Sequence, residues 1–174
     1  MKSPAPSRYG PVSILLHWLM FALLIGVYLA AELQEGGRAR NFATWHYTLG
    51  LSVFVLVWIR IAARLIWPAP AEVEHGWRNA LSKVIHGALY VLMIAMPVVG
   101  WLILSAEGDA IQFYGIGLSP LVGVNHGLAK GLEEVHELGG NIGYGLVGLH
   151  AAAALFHHYV LRDGLMTRML PGRT

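Results

Sequence analysis

Cysteine is absent from the 174 residues, and charged residues are scarce. Without cysteine the chain cannot form disulfides, thiolate metal sites, iron–sulfur clusters or thioether links to a haem. Charged residues make up 13% of the chain, against about a quarter in a soluble domain, while hydrophobic residues make up 56%. The composition therefore indicates a membrane protein, and the length indicates a single domain over residues 1–174.

Four apolar segments are long enough to cross a bilayer, which takes about 20 helical residues. They are residues 12–31, 43–67, 81–105 and 134–161. The polar N-terminus leads into the first segment without a small-residue cleavage site, so we expect that helix to be retained. The Gly-rich connection 106–133 is expected to contain a short interfacial helix. The predicted fold is an all-α, four-helix transmembrane bundle.

Basic residues divide unequally between the two sides of this bundle. With four spans both termini share one side, and that side holds nine of the twelve Lys and Arg residues. The opposite side holds Arg38, Arg40 and Lys130. Because basic residues favour the cytoplasmic side, we predict that both termini are cytoplasmic. We expect the lipid bilayer, and no nucleic acid, as the environment of the chain.

Nine histidines are present, and four lie well inside the predicted spans, where a polar side chain is costly and usually functional. These four are His17, His46, His136 and His150. Counted from the nearest interfacial charge at about 1.5 Å per residue, His46 and His136 lie about 9 Å from the outer surface. His17 and His150 lie about 13–18 Å from the inner surface by the same count. Depth therefore pairs His46 with His136, and His17 with His150.

Each depth offers two imidazoles from different helices. His136 and His150 are separated by about 40° around their helix and roughly 21 Å along it, so they share a face at two levels. A zinc site needs three or four ligands at one point, whereas a porphyrin supplies four nitrogens and needs two axial ones. We therefore predict two haems b, each held between two histidines. The alternative is that these histidines are polar core residues without a cofactor.

Five glycines lie between the two histidines of the last span: Gly139, Gly140, Gly143, Gly145 and Gly148. Glycine lets a flat ring approach the backbone closely, so this row predicts room for the macrocycle. Close packing of helices through small residues is the alternative interpretation.

Three more histidines, His86, His157 and His158, lie at shallow depth on the inner side. Since the carbonyl oxygens of a quinone need hydrogen-bond donors, these residues are candidates for a quinone site. The alternative is that they are ordinary interfacial histidines, and His86 could instead replace His17 as an axial ligand. His75 and His126 lie in predicted loops, where we expect them to be solvated.

Motifs in all four spans resemble bacterial cytochrome b561. They are LHWLM, WHYTLG followed by Arg60 and Arg64, HGALYVLMIAMPVVG, and HELGGNIGYGLVGLHAAAALFHHY. The resemblance covers nearly the whole chain. It implies a four-helix dihaem cytochrome of the bacterial inner membrane, with His17 and His150 as one axial pair and His46 and His136 as the other.

Within this family, similarity to enterobacterial superoxide oxidases implies a reaction. Periplasmic superoxide would give up its electron and leave as dioxygen, and ubiquinone would be reduced to ubiquinol. The same resemblance implies that His158, with His86, lies on the quinone side. Arg38, Arg40 and Lys130 could form a basic funnel for superoxide, although seven acidic residues on the outer side oppose the attraction of an anion.

Two other functions remain open at this point. The acidic outer face favours an electron-transfer subunit for a partner dehydrogenase or a small basic redox protein. A channel or transporter without haem, using buried histidines to move protons, is the more distant alternative.

Overall fold

The structure, a computed structural model, describes residues 8–35, 39–67, 70 and 76–170, with only the backbone of 34, 35 and 39–41. Long helices dominate it: α1 (Pro11–Glu35), α2 (Ala39–Ile66), α3 (Trp77–Glu107) and α4 (His126–Phe156). Each one overlaps a predicted span, so the helical bundle is confirmed in outline. Three of the described helices, α1 to α3, are long and apolar enough to cross a membrane. α4, which carries several glycines and histidines, is not among these three.

The connection before α4 differs from the prediction. In place of a short interfacial helix it carries an antiparallel hairpin, with β1 (Ile111–Phe113) paired to β2 (Ile116–Leu118). The turn uses Tyr114 and Gly115, both with positive φ, which is the backbone that tight hairpin turns require. The expectation of a helix here was wrong because its apolar residues alternate over two short strands.

α4 begins eight residues before the predicted start at residue 134. Asn125 caps it, because the side-chain oxygen of Asn125 accepts a hydrogen bond from the Leu128 N–H at 3.0 Å. His126 is therefore the first residue of the helix rather than part of a loop. Its Nδ1 lies 3.1 Å from Glu107 Oε2 while 71% of the side chain stays exposed, so it is solvated as expected. His75 lies outside the described residues.

α4 continues as one turn of π-helix, His157–Leu161, which ends where Arg162 adopts a left-handed conformation. The chain then folds back onto the start of α1. Tyr9 N–H donates to the Arg168 carbonyl at 3.3 Å, and Trp18 Nε1 donates to the Met169 carbonyl at 2.8 Å. The two ends of the described chain therefore lie together at one end of the bundle.

The buried core lies between α1, α2 and α3 and is built from aliphatic and methionine side chains. Its members are Leu16, Met20, Val53, Leu56, Val57, Ala63 and Met93. The outward faces are also apolar: Leu15 and Val91 are about two-thirds exposed, and Leu65 is 82% exposed. Such faces suit a helix in contact with lipid, where the backbone must bond internally but apolar side chains need no cover.

Candidate functional site

The outer pair of histidines lies between α2 and α4. The ring centroids of His46 and His136 are 5.9 Å apart, with their planes at 72°. His46 Nδ1 lies 3.0 Å from the Val27 carbonyl, which can only accept, so Nδ1 carries the ring proton. Nε2 of His46 is then left with a free lone pair, which is the arrangement that prepares a histidine to bind a metal.

The partner ring has an unsatisfied polar atom. Nδ1 of His136 is buried without a hydrogen-bond partner in the described part of the chain. A buried imidazole nitrogen without a partner is uncommon and indicates a missing ligand or water. Gly100 of α3 faces this ring, since a Cβ added there would lie 3.4 Å from His136 Cε1.

The inner pair lies between α1 and α4. The ring centroids of His17 and His150 are 6.2 Å apart, with their planes at 77°. His86 of α3 also reaches this level, and its centroid is 5.1 Å from that of His150. Nδ1 of His86 is held at 2.6 Å from the Ser82 carbonyl, so its Nε2 is also unprotonated in the neutral ring.

Both predicted pairs have the spacing that one metal ion between two imidazoles requires. With metal–nitrogen distances of about 2.0 Å, the two nitrogens lie about 4 Å apart and the ring centroids roughly 6 Å apart. The residues described contain no group of three or more His, Cys, Asp or Glu side chains that could hold a metal ion by themselves. The donor sets therefore suit a metal that brings its other ligands with it, as the iron of haem does.

An arginine contacts the inner pair. Arg60 Nη1 lies 3.0 Å from His17 Nδ1, and Arg60 Nε donates to the Tyr90 hydroxyl at 3.3 Å. The sequence predicts Arg60 only as a basic residue of the inner side and as part of the family resemblance. Its position within the predicted second span was the available signal, because a cation inside a membrane helix is costly and usually functional.

The inner-side histidines do not form one tight cluster. His86 packs against His150, whereas His157 pairs with Asp163, with Nδ1 at 2.5 Å from Oδ2. The His158 ring packs edge-on against its neighbour Tyr159, with centroids 4.7 Å apart. The candidate quinone residues are thus divided between α3 and the π-turn after α4.

The pairing of His157 stabilises the chain reversal after the π-turn. Burial by itself would raise the pKa of Asp163, but hydrogen bonds from His157 and from the Leu165 N–H hold that pKa below its ordinary value. Asp163 is thus a charged acceptor that ties this turn together at neutral pH.

Of the three basic residues predicted for the outer side, the structure describes the side chain of Lys130 alone. Lys130 is exposed in the second turn of α4. Arg38 lies outside the described residues, and of Arg40 only the backbone is described, within α2.

The glycines in this row of α4 fall into two groups according to what lies beside them. A Cβ on Gly139 would overlap the Met96 sulfur, and one on Gly143 would overlap the Tyr28 hydroxyl. At these two glycines the structure favours the alternative interpretation, close packing of helices through small residues. Nothing lies within 4 Å of a Cβ added to Gly140, Gly145 or Gly148.

Paired histidines on apolar, membrane-spanning helices define the class of membrane-embedded b-type cytochromes. The family model for prokaryotic cytochrome b561 matches residues 8–172. The chain belongs to the prokaryotic cytochrome b561 family. It is therefore a multi-pass bacterial membrane protein that binds b-type haem and transfers electrons.

Individual relatives match over almost their whole length. The chain is 31% identical over 175 residues to cytochrome b561 homolog 1 of Escherichia coli, covering 96% of this chain and 99% of that protein. It is 35% identical over 170 residues to the probable superoxide oxidase CybB of Yersinia pestis, covering 94% and 96%. It is 29% identical over 176 residues to cytochrome b562 of Cereibacter sphaeroides, covering 95% and 96%.

Proposed function

We propose that this cytochrome is a superoxide:ubiquinone oxidoreductase that holds two haems b. His46 and His136 would hold the haem at the outer level, and His17 and His150 would hold the haem at the inner level. The observation that carries the proposal is the pair of ring separations, 5.9 and 6.2 Å, at two levels of one helix. When bound, haem supplies one-electron redox chemistry, and the protein supplies position and surroundings.

The choice of His17 over His86 follows from distance. An iron between two imidazoles sets their centroids roughly 6 Å apart. The ring centroids of His17 and His150 are 6.2 Å apart and meet this requirement. The ring centroids of His86 and His150 are 5.1 Å apart, which is too close for an iron between the two rings. His86 is then available for the quinone.

The two half-reactions place different demands on the two ends of the bundle. Two superoxide anions each lose one electron and leave as two molecules of dioxygen. One ubiquinone takes up these two electrons with two protons and becomes ubiquinol. The outer end must therefore attract a small anion, and the inner end must deliver protons.

Imidazoles on the inner side meet the need for protons. Because Nδ1 of His86 is held by Ser82, its Nε2 can accept a proton and donate it to a quinone oxygen. His158 and His157 lie on the segment that leads from α4 to the surface. They supply further imidazoles between the quinone headgroup and water.

The arrangement in the membrane follows from charge. Nine of the twelve basic residues fall on the side of the termini, which supports cytoplasmic termini in the inner membrane and α4 as the fourth span. Lys130, with Arg38 and Arg40, supplies the positive charge that steers superoxide toward the outer level. Superoxide as the electron donor is further supported by the relative named as a probable superoxide oxidase.

Stopped-flow mixing of the purified protein with superoxide tests the proposal. We expect two haems per chain, reduction of haem faster than superoxide dismutates, and reoxidation when a ubiquinone analogue is added. Reduction that is no faster than dismutation would eliminate superoxide as the donor. A preparation with fewer than two haems per chain would contradict the pairing of the ligands.

A second candidate is an electron-transfer subunit that accepts electrons from a basic redox protein. Six acidic residues of the outer side are exposed in the described part of the chain: Glu32, Glu107, Asp109, Glu133, Glu134 and Glu137. Such a face suits a basic partner and repels superoxide. Reduction by a small basic redox protein, strongly slowed by salt, together with no response to superoxide, would favour this function.

A further inference from the structure

Two arginines face a cleft at the inner end of the bundle. Arg60 and Arg64 lie four residues apart on α2 and therefore on one side of that helix. The cleft is narrow, with a cavity volume of about 10 Å³, and it is partly open to solvent. It lies between α1, α2 and the C-terminal segment and is lined by Ser13, Leu16, Arg60, Ala63, Arg64 and Met169.

Neither arginine has a carboxylate partner among the described residues. The guanidinium of Arg64 lies over the Tyr9 ring, 5.3 Å from its centroid, which leaves its N–H groups free to donate. Arg60 uses two of its N–H groups, toward His17 and Tyr90. Asp163, the described carboxylate of the inner side, is bound to His157 and Leu165. Two arginines at the end of a membrane helix that have no carboxylate partner in the described part of the chain indicate a binding site.

The contact between Arg60 and His17 would be lost if His17 held a metal through Nε2. A guanidinium only donates, so Nδ1 of His17 accepts from Arg60 and the proton of the neutral ring is on Nε2. A ring that coordinates iron through Nε2 carries its proton on Nδ1, where it can no longer accept from Arg60. The N–H groups of Arg60 then need another acceptor, and the cleft is the space beside them.

We propose that this cleft binds a carboxylate, and that a propionate of the haem held by His17 and His150 supplies it. The proposal rests on the haem site assigned above. A propionate carboxylate is excluded from the hydrocarbon and must point toward an aqueous surface. Ser13 lies one helical turn from His17, and Arg64 one turn from Arg60, both toward the inner end. Arg64 thus lies on the aqueous side of the inner histidine level, while the Arg60 guanidinium lies at that level, 3.0 Å from His17 Nδ1.

The C-terminal segment completes this site. Arg8 Nη2 donates to the Leu170 carbonyl at 2.7 Å, and Trp18 Nε1 donates to the Met169 carbonyl. These bonds hold Met169 against α1 as one wall of the cleft. A wall of this kind limits the access of water, and an arginine–carboxylate pair is stronger where water is excluded.

The test uses the purified holoprotein and the variants Arg60→Gln and Arg64→Gln. The matched control is Arg78→Gln, which removes the same charge at the base of α3. The Arg78 guanidinium lies over the Trp77 ring, at 5.8 Å, and does not line the cleft. The measurements are the rate of haem transfer to excess apomyoglobin, the propionate bands of the resonance Raman spectrum, and phospholipid phosphate per chain.

In each cleft variant we expect one of two haems to leave about tenfold faster or more, because hydrogen bonds between charged groups are lost. The propionate bands should shift in these variants and stay unchanged in Arg78→Gln. Haem loss and bands equal to those of the control would overturn the proposal. The phosphate of an anionic lipid is the other possible anion. Unchanged haem loss together with phosphate lost from the variants would assign the cleft to lipid and also overturn it.

These outcomes are separate from the failure of the haem sites themselves. Wild-type protein without two haems would refute the proposed function, whereas an insensitive haem in a dihaem protein refutes only the propionate site. Arg64 does not contact a candidate ligand, so Arg64→Gln keeps the test decisive if Arg60→Gln fails to fold.

Discussion

His46 on α2 donates a hydrogen bond from Nδ1 to the backbone carbonyl of Val27 on α1, at 3.0 Å. This one bond fixes the tautomer of a candidate ligand and joins two helices at the outer level. Because the acceptor is a backbone atom, almost any side chain at position 27 preserves the arrangement. The neighbouring Tyr28 donates from its hydroxyl to the Gly140 carbonyl at 3.1 Å, which ties α1 to α4 one turn from His136.

Replacing His46 or His136 by alanine should remove one haem and leave the other. An iron with one axial imidazole is held weakly, while the level of His17 and His150 lies roughly 21 Å away along α4. The haem content of each purified variant, measured as the pyridine haemochrome, should fall from two to one per chain. Loss of both haems, or of neither, would show that the two levels are not independent sites.

Gly143→Ala should destabilise the protein by about 1–3 kcal/mol, because overpacking of a filled interior forces side chains to move. The added methyl group would overlap the Tyr28 hydroxyl. The measurement is the midpoint of thermal unfolding in detergent. Gly131→Ala is the matched control, since nothing lies within 4 Å of a Cβ at this α4 position.

Combining Gly143→Ala with Tyr28→Phe tests whether the overlap with the Tyr28 hydroxyl causes the loss of stability. Removal of the hydroxyl should recover part of the lost stability, while a Leu92 methyl group 3.3 Å from the new Cβ prevents full recovery. If the double variant loses more stability than the two single variants lose together, the overlap with Tyr28 is not the origin of the effect.

Asp163→Asn should destabilise the turn after the π-helix at neutral pH. The pKa of the Asp163 carboxyl is lowered in the folded protein, against burial, by hydrogen bonds from His157 and the Leu165 N–H. A carboxyl with a lowered pKa stabilises the fold above its ordinary pKa of 3.8, and this contribution disappears as the pH falls through the folded value. The difference between wild type and variant should therefore be present at pH 7 and shrink in acid.

Hydrogen exchange of residues 162–168 provides the measurement for this turn. Thr167→Val is a suitable comparison, because it removes a different bond of the same turn, from Oγ1 to the Gly164 carbonyl, without a titrating group. Its effect should not depend on pH between 3 and 7. A pH-independent effect of Asp163→Asn would contradict the assigned charge.

Lys130→Gln should slow the reduction of haem by superoxide about twofold and reduce the dependence of the rate on salt. A single exposed charge near the outer level attracts a small anion by a modest amount that salt screens. Stopped-flow rates at low and high ionic strength provide the measurement. Lys83→Gln, at the opposite end of the bundle, should leave the rate unchanged; equal slowing by both substitutions would exclude local steering.

Hydropathy was sufficient to find the helices, because every span needs about 20 apolar residues. Depth counting paired His17 with His150 and His46 with His136, and these rings do lie together; that they bind iron stays a prediction. Depth is readable from sequence because straight helices rise by a constant amount per residue. The contact between His86 and His150 could not be predicted from the sequence, because it depends on the rotation of α3 about its own axis.

The features that the sequence did not predict have a common cause. Each depends on packing between elements, which selects one of several local structures that the sequence permits. The start of α4 at His126 depends on the Asn125 cap, and polar residues after it resemble a loop when no partner is known. Gly139 and Gly143 look the same in sequence as Gly140, but only they face large side chains of neighbouring helices. Arg60 and His17 are 43 residues apart in the chain and lie on different helices. A local sequence pattern therefore cannot predict the hydrogen bond between them.

The position of the two levels on α4 has a consequence for biosynthesis. Both proposed ligand pairs take one member from the last helix, so neither can close while that helix is still inside the ribosome. At about 5–20 residues per second, His17 waits on the order of 10 s for His150 to be synthesised. In the proposed scheme, haem therefore binds only after α4 has been synthesised, when the earlier helices are already in the lipid.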